Sequence, residues 1–127
     1  MWPDAELAVM KALRPLLPGV RVTDEVPAGV EKLLPVVVVQ VAAGADDRIT
    51  DTVILDLAAF AADRAAMWQL AEQVRAAMLS LSATYSGGLP IDTVDTEQRP
   101  VEIPYGNPGV RRAVATYRLT TRGRTGA

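Results

Sequence analysis

The chemistry available to this 127-residue chain rests on a short roster of groups. Its three serines, Ser80, Ser82 and Ser86, fall within one short stretch. A serine becomes a nucleophile when a neighbouring base takes its proton. The chain has no His and no Cys, and no Lys lies near these serines, so that activation is missing. The same composition removes thiol nucleophiles, disulfides, His-dependent triads and zinc sites of the usual ligand type. Two carboxylate pairs remain, Asp46 with Asp47 and Asp92 with Asp95. Paired carboxylates can serve as acid and base or hold a hard cation. A cation of that kind needs several oxygen ligands, no compatible motif surrounds Asp46 and Asp47, and nothing at either spacing requires paired chemistry. A solvated turn is the stronger reading of Asp46-Asp47-Arg48, and a polar tip touching a neighbouring protein is the second. Gly87-Gly88 lacks the Lys and Ser/Thr of a phosphate cradle. The roster reads as that of a non-enzyme: catalytic residues none, cofactors none, metals none.

Charge is distributed unevenly. Through Gln98 the sequence holds seven Lys/Arg against fourteen Asp/Glu; from Arg99 onward it holds six Arg against Glu102 alone. The formal net charge is −2, which argues against a general nucleic-acid binder. The acidic body and basic end could attract each other within or between chains, or the arginines could be solvated on an edge strand. No basic-then-apolar leader opens the sequence, and no apolar run reaches membrane-spanning length, so the expectation is a soluble intracellular protein with no membrane partner. A chain of this length is expected to form one domain whose core hides roughly two thirds of its extended surface. Half the residues are hydrophobic but only 5% are aromatic, which makes that core aliphatic.

The elements that must position these groups centre on residues 36–81. Val36–Val41 is a nearly unbroken β-branched run, suited to a pleated sheet and apolar on both faces. Such a strand is either covered on both sides by its own chain or covered on one side and joined to a partner on the other. Thr52–Phe60 pairs with it most simply as an antiparallel hairpin across Ala42–Asp51. Val53, Leu55, Leu57 and Ala59 share one face; Ile54, Asp56, Ala58 and Phe60 share the other. Asp56 is thus a lone carboxylate among apolar neighbours, either exposed or paired at a subunit contact.

Asp63–Leu81 is the clearest helix, with Asp63 as N-cap and Met67, Leu70, Val74, Met78 and Leu81 as its buried stripe. Pro3–Leu16 is a second helix, with a stripe of Leu7, Met10, Leu13 and Leu17. Val20–Thr23 reads as a short strand, 24–35 as an irregular connection and 83–89 as a loop. Pro90–Ile103 alternates loosely, Tyr105-Gly106-Asn107-Pro108-Gly109 is a turn, and Val110–Thr121 is the last strand. Its core face carries Ala113, Ala115, Tyr117 and Leu119; Arg112 and Arg118 lie opposite. Residues 122–127 should fray. The order α-β-β-β-α-β-β predicts an α+β two-layer sandwich, with a mainly antiparallel sheet and two helices on one face.

Read together, Trp2-Pro3-Asp4-Ala5-Glu6, Pro35-Val36-Val37-Val38-Val39-Gln40, the run Asp51–Ala61, the alanine-rich helix to Leu81 and the closing Arg112–Leu119 strand resemble the tail terminator proteins of long-tailed bacteriophages and related minor tail or neck proteins. The resemblance spans nearly the whole chain. It implies a virion structural protein, assembled in the host cytoplasm, that caps the finished tail tube as a six-membered ring. Such a ring stops tube polymerisation and offers a joining surface to the head connector, and genomic DNA passes through it. The partners implied are further copies of the chain, the tail tube protein and the head–tail connector protein. The resemblance carries no catalytic residues.

Closure of a ring needs two different patches on each subunit. The two-faced valine strand is expected to offer apolar surface beyond what two short helices cover. Arg112 and Arg118 are the candidates to meet Asp51 or Asp56 of a neighbour. The loops Asp46-Asp47-Arg48 and Tyr105-Gly106-Asn107 are the candidates for tube or connector contact. The alternatives are another neck or tail-completion ring and, in a different class, a small-molecule-binding module.

Overall fold

The computed structural model describes residues 5–46, 50–86 and 89–122. Helix α1, Ala5–Leu13, is followed by a 3-10 turn at Arg14–Leu16, where Pro15 interrupts helical hydrogen bonding. Strand β1 is Arg21–Thr23, and a second 3-10 turn covers Val30–Lys32. Strands β2, Val36–Asp46, and β3, Thr50–Ala61, form the expected hairpin. Helix α2, Arg64–Leu79, follows. Strand β4 is Thr84–Ser86, β5 is Leu89–Glu102 and β6 is Arg111–Arg122.

The strands form one sheet in the order β1-β2-β3-β6-β5-β4. The α+β reading holds, with two corrections. The sheet is mixed, because β1 runs parallel to β2 through Arg21↔Val36, Val22↔Val37 and Thr23↔Val38, while the other pairings are antiparallel. The sheet also curls, which a flat two-layer sandwich does not: α1 touches both β1 and β4, strands at opposite edges. Two polar ties span the curl. Val41 N donates to Glu6 Oε2 at 2.7 Å, and Ser86 Oγ donates to the Ala8 carbonyl at 2.9 Å.

The larger core lies between the helices and one sheet face. Ala8, Val9 and Leu13 of α1 and Met67, Leu70, Val74 and Met78 of α2 meet Val37, Val39, Leu55, Leu57, Ala115, Tyr117 and Leu119. Asp63 begins α2 as expected, its Oδ1 accepting from Ala66 N at 2.8 Å. Leu7 departs from its expected stripe and is 40% exposed, while Ala8 and Val9 are buried in its place.

The second face of the valine strand is roofed by its own chain. Val36, Val38 and Phe60 are buried beneath Val30 and Val110, with Leu33, Leu34 and Tyr105 packed around them. The segment 24–35 makes the parallel crossover and supplies part of this roof. Gly29, at φ +68°, turns the chain into the Val30 turn. The expected surplus of open apolar surface on β2 is therefore consumed at Val36 and Val38. Further along the same face the register runs polar: Gln40 opposite Asp56, Asp56 opposite Thr116, Thr116 opposite Gln98.

Candidate assembly surfaces

The residues that could do chemistry are used as structural ties. Ser80 Oγ donates to the Ala77 carbonyl at 2.6 Å, Ser82 Oγ accepts from Val94 N at 3.0 Å, and Ser86 holds α1. Asp95 faces Arg118. Among the described residues, no three carboxylates converge on one point. An open cleft of about 370 Å³ lies between the Pro18–Val20 turn, Leu34–Pro35 and the first half of α2. Gln69 and Gln73 are its polar side chains, and no titratable group lines it. The arrangement provides surfaces for contact; among the described residues no acid, base and nucleophile come together.

The candidate interface residues fall in two groups. Asp56 and Thr116 are register partners on the second sheet face, and Thr116 Oγ1 donates to Asp56 Oδ1 at 2.7 Å. Arg118, two residues along on β6, reaches Asp95 at 3.6 Å and Glu97 at 3.2 Å, all on one exposed stretch. Arg112 lies at the other end of the strand. It donates to the Ile103 and Pro104 carbonyls, and its guanidinium carbon sits 5.3 Å from the Tyr105 ring centre. Asp51 lies on β3, in register with Asp46 on one side and Thr121 on the other. Within one chain, then, the two arginines have partners other than Asp51 and Asp56.

Of the candidate contact residues, Asp46 and the Tyr105-Gly106-Asn107 loop lie at opposite ends of the sheet. The β3–β6 ladder runs from Thr50↔Arg122 to Ala61↔Arg111. At ~3.3 Å per residue its ends are roughly 36 Å apart. Asp46 closes the β2 side at the first end, while Asp47 and Arg48 lie outside the described residues. The Ile103–Val110 loop lies at the second end. It is braced: Tyr105 meets the edge of Phe60 with ring centres 5.2 Å apart, and Asn107 Oδ1 accepts from Gly109 N at 2.9 Å. Gly106, at φ +90°, is exposed at its tip and takes a backbone conformation that a side chain would strain. The sequence marked this turn but not that Tyr105 folds back as part of the roof.

The strand edges are blunted in different ways. Arg14 Nη2 donates to the Val22 carbonyl on β1. Strand β5 is broken by three register shifts against β6 and carries Pro100. Such devices discourage uncontrolled strand addition.

One group in the core stands apart. Tyr117 is fully buried, and among the described residues its hydroxyl has no hydrogen-bond partner. Burial pushes its pKa up to about 12, opposed by nearby Arg75 and reinforced by Glu72.

Comparison with known proteins gives the fold and the sequence a context. The model of the phage tail termination protein family matches residues 1–126, so the chain belongs to that family. It is a structural protein of phage-type tails. A solved chain from the "Virion of native gene transfer agent (GTA) particle" shares the fold, with a TM-score of 0.67, 18% identity, and coverage of 94% of this chain and 95% of that one. No curated protein sequence matches.

Proposed function

We propose that this protein caps the tail tube as a ring, stops further polymerisation of the tube and presents the surface on which the head connector seats. The observation that carries this reading is the family match across residues 1–126. The geometry supports it. A terminator must meet one partner below and another above, and two loops at opposite ends of a roughly 36 Å ladder suit that task. The loop at Asp46-Asp47-Arg48 and the loop at Tyr105-Gly106-Asn107 are the two axial contacts.

The ring is a homo-hexamer made by a head-to-tail contact that closes on itself. Asp51, Asp56, Arg112 and Arg118 contribute to that contact. Arg118 is the most available of them: it is half exposed, its ion pairs are half exposed, and it can exchange an internal carboxylate for a neighbour's at little cost. Genomic DNA passes through the ring without sequence-specific recognition, in keeping with a net charge of −2. The ring assembles in the host cytoplasm and remains in the virion at the head-proximal end of the tail.

The test is an elongation assay with purified tail tube protein. Adding this protein should arrest growth and leave rings at tube ends. Tubes that lengthen at an unchanged rate, with the protein remaining in solution, would overturn the proposal. Rings that bind the connector but never the tube would instead indicate a neighbouring neck protein.

A further inference from the structure

We propose that Glu6 is the positioning residue that sets the direction of the β2–β3 arm and hence of its far end at Asp46. Strand β1 pairs with β2 only from Val36 to Val38. Beyond that point the outer edge of β2 has no strand neighbour among the described residues. The β2–β3 register shifts between Val41 and Ala43, which marks an extra residue in β2. A bulge of this kind bends the strand and leaves one residue, here Ala42, outside the ladder. Val41 is the last residue in register before the bulge, and Glu6 Oε2 accepts from its amide at 2.7 Å. Val41 is itself 44% exposed, so packing does little to hold the site. The carboxylate does, because α1 carries it on a rigid base: Ala8, Val9 and Leu13 are buried, and Ser86 ties Ala8 to the far edge of the sheet.

The consequence lies further along the arm. Past the bulge, Ala43–Asp46 pairs with Asp51–Ile54, so the arm ends at the Asp46↔Asp51 pair. A bulge that slips by one residue reverses which side chains face each sheet surface. A charged acceptor fixed to α1 penalises that slip. Glu6 thereby holds the arm in one register and aims its tip.

The role in contact rests on the proposed tube-capping function; the clasp itself does not. The test uses Glu6→Ala and Glu6→Gln with two readouts, residue-resolved amide exchange and arrest of tube elongation. Glu6→Ala should speed exchange at Val41 and Ala43–Asp46 by about tenfold or more, leave the α2 amides unchanged, and raise the amount of protein needed for arrest. Glu6→Gln retains an acceptor oxygen and should restore both readouts most of the way. Unchanged exchange in the arm of Glu6→Ala overturns the clasp. A loosened arm with undiminished arrest overturns the aiming role while leaving tube capping intact. Failure of the unmodified protein to arrest tubes counts against the capping function alone, and the exchange data still judge the clasp.

Discussion

The hydroxyl of Thr116 hydrogen-bonds to the carboxylate of Asp56 across the β3–β6 register at 2.7 Å. This joins two polar groups on the second face of the sheet and gives the lone carboxylate of β3 a partner inside its own chain. The bond engages Oδ1, and Oδ2 is the atom that the proposed ring contact would use.

Thr116→Val removes the donor from this pair and should cost about 1 kcal/mol in urea unfolding. Asp56→Asn keeps an acceptor at Oδ1 and should change stability by less than about 0.5 kcal/mol. If the charge serves the ring, Asp56→Asn should nonetheless weaken subunit association in sedimentation velocity. Equal association in the variant and the unmodified protein would remove Asp56 from the interface.

Arg118→Glu separates fold from assembly. Its pairs with Asp95 and Glu97 are half exposed, so their loss should cost no more than about 1 kcal/mol in unfolding experiments. The reversed charge beside two acids should disfavour a contact with an acidic neighbour more strongly, and that effect should diminish in high salt. Sedimentation at low and high ionic strength reads both. A ring of unchanged strength at low salt would exclude Arg118 from the subunit contact.

The Phe60–Tyr105–Arg112 stack makes a graded prediction about the roof. Phe60 is fully buried, and Phe60→Ala should cost about 3–5 kcal/mol. Arg112→Ala removes a cation–π contact and two carbonyl caps at a half-exposed site and should cost about 1 kcal/mol. Tyr105→Ala should fall between them. Denaturant midpoints check the order, and a reversed order would mean that the loop contributes to stability by other contacts.

Much of this architecture was legible in the residues, for reasons that also explain the gaps. Helix α2 announced itself because its cap and its stripe agree: Asp63 bonds Ala66, and Met67, Leu70, Val74, Met78 and Leu81 are all buried. The faces of β3 and β6 followed from strict alternation, with Leu55 and Leu57 on the core side and Asp56 opposite. Strand β4 was missed because three residues, Thr84–Ser86, carry no periodic pattern. The parallel pairing of β1 was missed because direction depends on where the irregular segment 24–35 crosses, and local spacing does not encode that.

The candidate surfaces were legible in kind but less so in detail. Alternation placed Arg112 and Arg118 on the face away from the core, but their partners came from elsewhere in the chain. Arg112 reaches back to the β5–β6 turn, and Arg118 reaches across to β5. Glu6 lies in the first turn of α1, where an acid suits the helix dipole. Its partner, Val41 N, lies thirty-five positions away beside the β2 bulge, which no local signal revealed.

Tyr117 yields an alkaline signature. Its pKa is raised to about 12 by burial, against an ordinary value of 10.0. The charged form is thus favoured in the unfolded chain. The associated stability is fully present below pH ~10 and is lost as pH rises through about 12. Tyr117→Phe removes this titration and also an unpaired hydroxyl, so it should fold at least as well near neutral pH. The difference between the two unfolding free energies, followed from pH 8 to 12, should be flat below pH ~10 and shift toward the variant above it. A flat difference throughout would mean that Tyr117 titrates normally.

The central claim is that the protein sits as a closed ring at the head-proximal end of the tail tube. Cryo-electron microscopy of intact particles tests it most directly. The account predicts one ring there, built from copies of this curled six-stranded fold, with the Asp46 end of the β2–β3 hairpin at one axial face and the Tyr105 loop at the other. Density for the fold at the distal tip, along the tube wall or nowhere in the particle would contradict it.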